Sequence, residues 1–218
     1  MRALARHWRS AAAVAAVVML AALAAAVAQT APPATEEAKP PTREPDVIYV
    51  PTPQPVVDKM LEVAEIKKGD VVYDLGCGDG RIVVTAAKKY GVKAFGFDIN
   101  PERVKESLEN VKKNKVEHLV TIKQADIFTL DLRPADVVTL YLLPDLNVKL
   151  MPQLRQLKKG SRIVSHDFDM RGAKPAAVYR ITEKDGKAVE AKSDEYEWSS
   201  HTIYKWVVPW EKEDSASP

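Results

Sequence analysis

The sequence of 218 residues contains a single cysteine, Cys77. A single cysteine excludes an internal disulfide and any zinc site built from several cysteines. Net charge is also small: 32 basic residues face 30 acidic ones, and three of the basic residues lie in residues 1–28, which contain no acid. The rest of the chain is nearly neutral. We therefore expect no nucleic-acid partner, since no broad basic surface would attract one.

Long apolar runs are absent except at the N-terminus. Three arginines precede the alanine-rich stretch 11–28, which ends in Ala26-Val27-Ala28, a pattern typical of signal-peptide cleavage. The stretch is also at the lower limit for spanning a bilayer. We expect residues 1–28 to be a signal peptide or a membrane anchor, unless the start codon lies further downstream. The remainder would then be exported or membrane-anchored outside the cytoplasm, because positive charge stays inside.

Composition divides the remainder of the chain into three parts. Residues 29–45 contain five prolines and almost no bulky apolar side chain, which predicts a disordered linker. Residues 46–210 are long enough for one well-buried domain, and residues 211–218 are polar and expected to be a flexible tail. We expect the protein to be a monomer.

Within residues 46–210, short β-branched runs alternate with stretches of helical periodicity, such as Val57, Met60, Leu61 and Ala64. The last two runs are close enough in sequence to pair antiparallel. This alternation predicts an α/β fold, a Rossmann-like, doubly wound, mostly parallel seven-stranded sheet with helices on both faces. The strands are expected at 71–73, 94–97, 120–122, 137–140, 163–164, 179–181 and 203–206.

A glycine-rich loop, Asp74-Leu75-Gly76-Cys77-Gly78-Asp79-Gly80, follows the first predicted strand. Glycines there allow a tight turn and a close approach of the backbone to a ligand. The dinucleotide fingerprint has glycine or alanine where this chain has Arg81, which disfavours NAD or FAD. An acid two residues before the first glycine suits S-adenosylmethionine, whose ammonium Asp74 could reach through water or the backbone. We assign Asp74, Gly76, Cys77 and Gly78 to this site, with Cys77 as a small packing residue.

Two further acids follow the next two predicted strands. Asp98 ends the second strand, where a carboxylate can accept both ribose hydroxyls of a nucleoside. Asp126 follows the third strand and could accept the adenine amino group, with Ile99 and Ile127 on either side of the ring. Each acid alone is commonly a helix cap or a solvated turn. Because all three follow successive strands, the sequence predicts an S-adenosylmethionine site at the carboxyl edge of the sheet.

The chain resembles the seven-stranded class I methyltransferases over about residues 68–206. A closer match rests on four motifs: Tyr49-Val50-Pro51-Thr52-Pro53, residues 74–81, Thr139-Leu140-Tyr141-Leu142-Leu143-Pro144 and Val164-Ser165-His166-Asp167-Phe168. Together they resemble the family of lysine methyltransferases that act on the mitochondrial ATP synthase c-subunit and the adenine nucleotide translocase, with their prokaryotic relatives. This resemblance implies methylation of a lysine Nε in a protein and cofactor contacts by Tyr49 and Thr52. Mitochondrial members are also anchored to a membrane near the N-terminus.

The methyl acceptor is expected where the fourth strand ends. Tyr141 could line its channel or orient the amine, and Asp145 could attract a lysine cation; packing and helix capping are the alternative roles. His166, Asp167 and Asp169 are of metal-ligand type, but they lie on one loop without a distant partner. We therefore expect them to form a pocket rim and predict no metal site.

Two other functions fit the same cofactor site: methylation of a small molecule, or cofactor binding without turnover. Two nucleic-acid chemistries do not fit. Methylation of an adenine amino group typically uses an Asp/Asn-Pro-Pro-aromatic motif, which is absent. Methylation of cytosine C5 needs a nucleophilic cysteine outside the glycine loop, and the sequence has none.

Overall fold

The computed structural model describes residues 43–191 and 200–212. The predicted leader, most of the predicted linker and residues 213–218 of the predicted tail lie outside these ranges. The first two residues of the predicted tail contact the domain. Lys174 N–H donates to the Glu211 carbonyl at 2.9 Å, and Lys212 forms an isolated antiparallel β-bridge with Ala173. Within the described ranges, no helix has the length and apolarity needed to cross a membrane.

Four α-helices, one short 3-10 helix (Ile127–Thr129) and eight strands form the described fold. The α-helices are α1 (Gln54–Val63), α2 (Arg81–Tyr90), α3 (Pro101–Lys113) and α4 (Pro144–Leu154). The strands are β1 (Val71–Leu75), β2 (Lys93–Asp98), β3 (Val120–Gln124), β4 (Val137–Leu140), β5 (Arg162–His166), β6 (Ala177–Lys184), β7 (Lys187–Glu190) and β8 (Ser200–Val207).

The strands form one sheet in the order β3-β2-β1-β4-β5-β8-β6-β7. Strands β1 to β5 are parallel to one another, whereas β8, β6 and β7 add antiparallel pairs. The predicted Rossmann-like, mostly parallel sheet is confirmed.

The described sheet has eight strands where the sequence predicts seven. The additional strand, β7, is only four residues long and mostly exposed, so it lacks the apolar signal of a core strand. It pairs with β6 through a two-residue turn, Asp185-Gly186, in which both residues have positive φ angles of 52° and 71°. Asp-Gly is a preferred sequence for such a hairpin turn, so the turn residues, and not the strand residues, could have predicted β7 from the sequence.

Helices cover both faces of the sheet and form two separate cores. On one face, α1, α2 and α3 bury Val57, Met60, Val83 and Val111 against the sheet. On the other face, α4 buries Leu150 and Leu154. This two-sided burial explains why the central strands are continuous apolar runs instead of alternating ones.

Local chemistry fixes where the helices begin and end. Asn100 caps α3, with its side-chain oxygen accepting a hydrogen bond from Glu102 N–H at 2.8 Å, and Pro101 occupies the first helical position, as the sequence predicts. Gly91 ends α2 in the left-handed conformation.

The carboxyl ends of the parallel strands meet at one edge of the sheet. Leu75 of β1 pairs with Phe97 of β2 and with Leu140 of β4, which pairs with Ser165 of β5. The residues that follow these strands therefore come together, although they are separated widely in the sequence.

Trp206 is the largest fully buried side chain in the described residues, and its indole N–H donates to the Ala173 carbonyl at 2.8 Å. We expect Trp206→Phe to lower the free energy of unfolding by about 2–4 kcal/mol, because it opens a cavity and leaves a buried carbonyl without its donor. Trp210→Phe is the matched control, since its indole nitrogen has no hydrogen-bond partner, and should cost less than about 1 kcal/mol. Urea denaturation measures both values; equal losses would contradict the role of the bond.

Candidate active site

A single cleft lies at the carboxyl edge of the sheet, above β1, β2 and β4. It is lined by the glycine loop, the ends of β2 and β4, and the segment 43–52 that precedes α1. Its volume is about 910 Å³, a figure that includes the solvent-filled space at its open mouth.

The glycine loop lies directly against Tyr49. Gly76, Gly78 and Gly80 have positive φ angles of 80°, 55° and 77°. A Cβ atom on Gly78 would lie 2.2 Å from the Tyr49 ring, so only glycine allows this contact. The Arg103 guanidinium lies over the same ring, 4.8 Å from its centroid. Tyr49, which the sequence assigns to the site only by resemblance, therefore reaches the cleft and covers the loop.

Arg81 connects the glycine loop to the segment 43–52. One guanidinium nitrogen donates to the Thr52 carbonyl at 2.8 Å, and the others donate to Asp79 at 2.7–3.2 Å. The sequence indicates Arg81 only as a mismatch to the dinucleotide pattern. Its structural role is to hold Thr52, which is buried and lines the cleft, beside the loop.

Asp98 is fixed by two backbone donors. Its carboxylate accepts hydrogen bonds from Gly78 N–H and Asn100 N–H, both at 2.9 Å. Burial raises the pKa of Asp98, and the two backbone hydrogen bonds partly oppose that rise. The carboxylate lines the cleft at the end of β2, the position expected for a ribose contact.

Asp74 carries a buried oxygen without a partner. Its Oδ1 accepts a hydrogen bond from the Thr139 hydroxyl at 2.7 Å, whereas Oδ2 is buried and has none. Burial raises the pKa of Asp74 to about 7, against the opposing effect of Thr139. An acceptor oxygen of this kind, in the wall of a cleft, suits a cationic group on the ligand.

Cys77 lies in the loop as a small packing residue. Its side chain is buried, and burial raises the pKa of the thiol well above its ordinary value. A thiol of this kind is a poor nucleophile. Its Sγ atom would lie 2.9 Å from a Cβ on Gly96, so the loop and β2 are in close contact there.

Of the three predicted adenine contacts, two line the cleft and one does not. Ile99 and Ile127 both line the cleft, as does Ala125 between them. Asp126 does not line it: its carboxylate accepts from Phe128 N–H and from the Arg43 guanidinium, which lowers its pKa. Its contact with an adenine amino group stays a prediction.

The two predicted acceptor-side residues also differ in position. Tyr141 lines the cleft, with its ring centroid 4.0 Å from that of His166 and 5.8 Å from that of Phe168. Asp145 lies in the first turn of α4, outside the lining of the cleft. Its side chain is 84% exposed and forms an ion pair with Arg171. The structure therefore brings Tyr141, and not Asp145, to the cleft.

These features fit S-adenosylmethionine. The unpartnered oxygen of Asp74 suits the methionine ammonium, the anchored carboxylate of Asp98 suits the ribose, and Ile99 and Ile127 suit a flat aromatic base. The structure disfavours the dinucleotide alternative, because two backbone donors that could bind a pyrophosphate, Gly78 N–H and Arg81 N–H, already donate to Asp98 and Asp79.

Comparison with known proteins gives a consistent result. The ANTKMT methyltransferase domain matches residues 74–177. A protein-lysine N-methyltransferase of Saccharolobus islandicus (strain REY15A) is 45% identical over 166 residues, which cover 75% of this chain and 95% of the relative. The chain belongs to this methyltransferase family.

Other relatives extend the comparison. The crystal structure of an RNA methyltransferase from Salinibacter ruber in complex with S-adenosyl-L-homocysteine is 42% identical. It has a TM-score of 0.64 and covers 78% of this chain and 100% of its own. A ribosomal protein L11 methyltransferase of Alkaliphilus oremlandii is 35% identical over 101 residues, which is 46% of this chain but only 32% of that protein. The cofactor of this family member is S-adenosylmethionine.

The raised pKa of Asp74 predicts proton release on cofactor binding. Below pH 7 the free carboxyl is protonated, and a cationic ammonium beside it favours the ionised form. We expect binding to release about one proton near pH 6 and almost none above pH 8, with affinity falling as the pH drops below 7. Calorimetry in buffers of different ionisation enthalpy measures the release.

Asp74→Asn provides the control for this prediction, because asparagine keeps the size of the side chain and does not titrate. The variant should bind more weakly and release no proton. Proton release unchanged in Asp74→Asn would show that another group is responsible.

Proposed function

We propose that this methyltransferase transfers a methyl group from S-adenosylmethionine to the Nε amine of a lysine in a protein. Support comes first from the 45% identity to a protein-lysine N-methyltransferase over 95% of that relative's length. It comes second from Tyr141, which lines the cleft at the end of β4 and whose ring stacks on that of Phe168 at 5.8 Å between centroids.

The cofactor supplies a methyl group already activated on a sulfonium. The protein therefore has to align the acceptor and exclude water, without a dedicated nucleophile. Asp98 and the glycine loop hold the cofactor end of the cleft, and Tyr49 covers it. Tyr141 lines the same cleft from the β4 side, so the two ends are held by adjacent strands of one rigid sheet.

A lysine acceptor has to reach the site as a neutral amine. Its ordinary pKa is about 10.4, and both burial and a neighbouring sulfonium lower it. The Tyr141 ring provides an aromatic surface in the cleft, and such a surface attracts cationic ammonium groups, including methylated ones. Asp145 is available only to a substrate that approaches from outside, and its charge is partly neutralised by Arg171.

RNA is the principal competing acceptor, because the similar Salinibacter ruber protein is described as an RNA methyltransferase. The charge of this chain does not favour RNA: beyond residue 28, the remaining 29 basic residues face 30 acidic ones. A small-molecule acceptor and cofactor binding without turnover are the other candidates.

Tritiated S-adenosylmethionine distinguishes these acceptors when it is incubated with the protein and a cell extract. We expect label in protein bands that resists ribonuclease, with methyl-lysine recovered after acid hydrolysis. Label removed by ribonuclease would indicate RNA, and label only in solutes would indicate a small molecule. Binding without label would indicate loss of turnover. Asp98→Ala is the control without cofactor binding, and Lys-to-Arg changes in a labelled target should abolish its label.

We also propose that residues 1–28 take the chain out of the cytoplasm or anchor it in the membrane, where it acts as a monomer. Support comes from the arginines ahead of an apolar stretch that ends in Ala26-Val27-Ala28. Mass determination of the native protein should find an N-terminus at Gln29, or the full chain in the membrane fraction. A full-length chain in the cytoplasm, or a dimer mass by light scattering, would contradict the respective part of the proposal.

A further inference from the structure

Three potential metal ligands meet beside the cleft, where β5 ends and β8 begins. His166 Nε2 lies 2.9 Å from His201 Nδ1 and 3.2 Å from Asp167 Oδ2, and His201 Nδ1 lies 3.3 Å from the same oxygen. The expectation of no metal rests on the lack of a distant partner for His166 and Asp167. His201, which is 35 residues further along the chain, is such a partner.

Backbone pairing holds Asp167 in place. It lies just after β5, and its N–H donates to the Thr202 carbonyl at 2.7 Å. Its Oδ1 accepts from Thr202 N–H at 2.8 Å, which leaves Oδ2 directed at the two histidines. The φ angle of Asp167 is +56°, in the left-handed region that aspartate tolerates better than most residues.

The orientation of His166 is also fixed. Its side chain is fully buried, and its Nδ1 lies 3.2 Å from the Thr52 hydroxyl. A ligating histidine is usually held in this way, with one ring nitrogen hydrogen-bonded and the other free for the metal. The Tyr141 ring, 4.0 Å away between centroids, packs against the same imidazole.

The three distances match the geometry of one coordinated ion. Nitrogen and oxygen ligands bind a first-row metal at about 2.1 Å, and at angles between 90° and 109° they lie about 3.0–3.4 Å apart. The observed separations of 2.9–3.3 Å lie within or just below this range. His201 and Asp167 are 19% and 30% exposed, so an ion can enter from solvent and keep water in its remaining positions.

We propose that His166, Asp167 and His201 form a binding site for one divalent first-row transition-metal ion. Two imidazoles and one carboxylate are ligands that Zn²⁺, Co²⁺ and Fe²⁺ accept, whereas Mg²⁺ and Ca²⁺ prefer oxygen. An ion there joins the end of β5 to β8 and, through the His166–Thr52 contact, fixes one wall of the cofactor cleft.

Metal titration of the full-length chain without a polyhistidine tag tests this site. After dialysis against a chelator, we expect one Co²⁺ per chain with a visible absorption band, displacement by Zn²⁺ and reversal by EDTA. His201→Gln and Asp167→Asn should each weaken Zn²⁺ binding by at least about 100-fold in calorimetry, because each removes a ligand. Thr52→Val should weaken it by about 10- to 100-fold, the usual effect of losing a hydrogen bond to a ligating histidine.

His118→Gln is the matched control, because His118 is exposed and far from the cluster in the sequence; binding should not change. Circular dichroism and thermal unfolding verify that each variant is folded. Failure of the wild-type chain to bind Co²⁺ or Zn²⁺ would overturn the proposal and leave a hydrogen-bonded cluster. Zn²⁺ affinity unchanged in both folded ligand variants would also overturn it. If neither variant folds, the wild-type chain alone decides: a Co²⁺ spectrum without histidine coordination would overturn the proposal.

Discussion

The hydrogen bonds of one carboxylate hold the site together. Asp98 accepts from Gly78 N–H in the glycine loop and from Asn100 N–H at the start of α3. These bonds fix the end of β2 to the loop that follows β1, and the loop in turn provides the flat surface on which Tyr49 lies. Backbone hydrogen bonds from the loop to the Phe97 carbonyl strengthen the same link. The geometry of the cofactor cleft therefore depends on how the end of β2 is joined to the loop that follows β1.

The sequence predicted most of the parallel half of the fold, because its signals are local. Apolar periodicity, the Asn100-Pro101 helix start and the glycine loop each lie within a few residues, and the structure confirms the arrangement they imply. Contacts that depend on long-range register were not predictable. In the sequence, Arg81 is only a departure from the dinucleotide fingerprint, yet its side chain holds Thr52 beside the loop. His201 belongs to no sequence motif, and the antiparallel pairing of β5 with β8 brings it to His166. Asp145 follows a motif but lies outside the cleft.

The antiparallel strands do more than extend the sheet. By pairing with β5, β8 brings His201 and the backbone of Thr202 to the side of the cleft that Tyr141 lines. The cofactor side is built by the parallel strands and their loops. The side that Tyr141 lines combines the ends of the parallel strands β4 and β5 with the start of the antiparallel strand β8.

The segment 43–52 covers the cleft and continues directly from the proline-rich residues 29–42. Arg43 pairs with Asp126, Tyr49 lies on Gly78, and Thr52 is held by Arg81. A force that pulls on the N-terminus would therefore act first on the segment 43–52 and only then on the sheet. If the proposed leader anchors the chain in a membrane, mechanical load and cofactor exchange would act on the same ten residues.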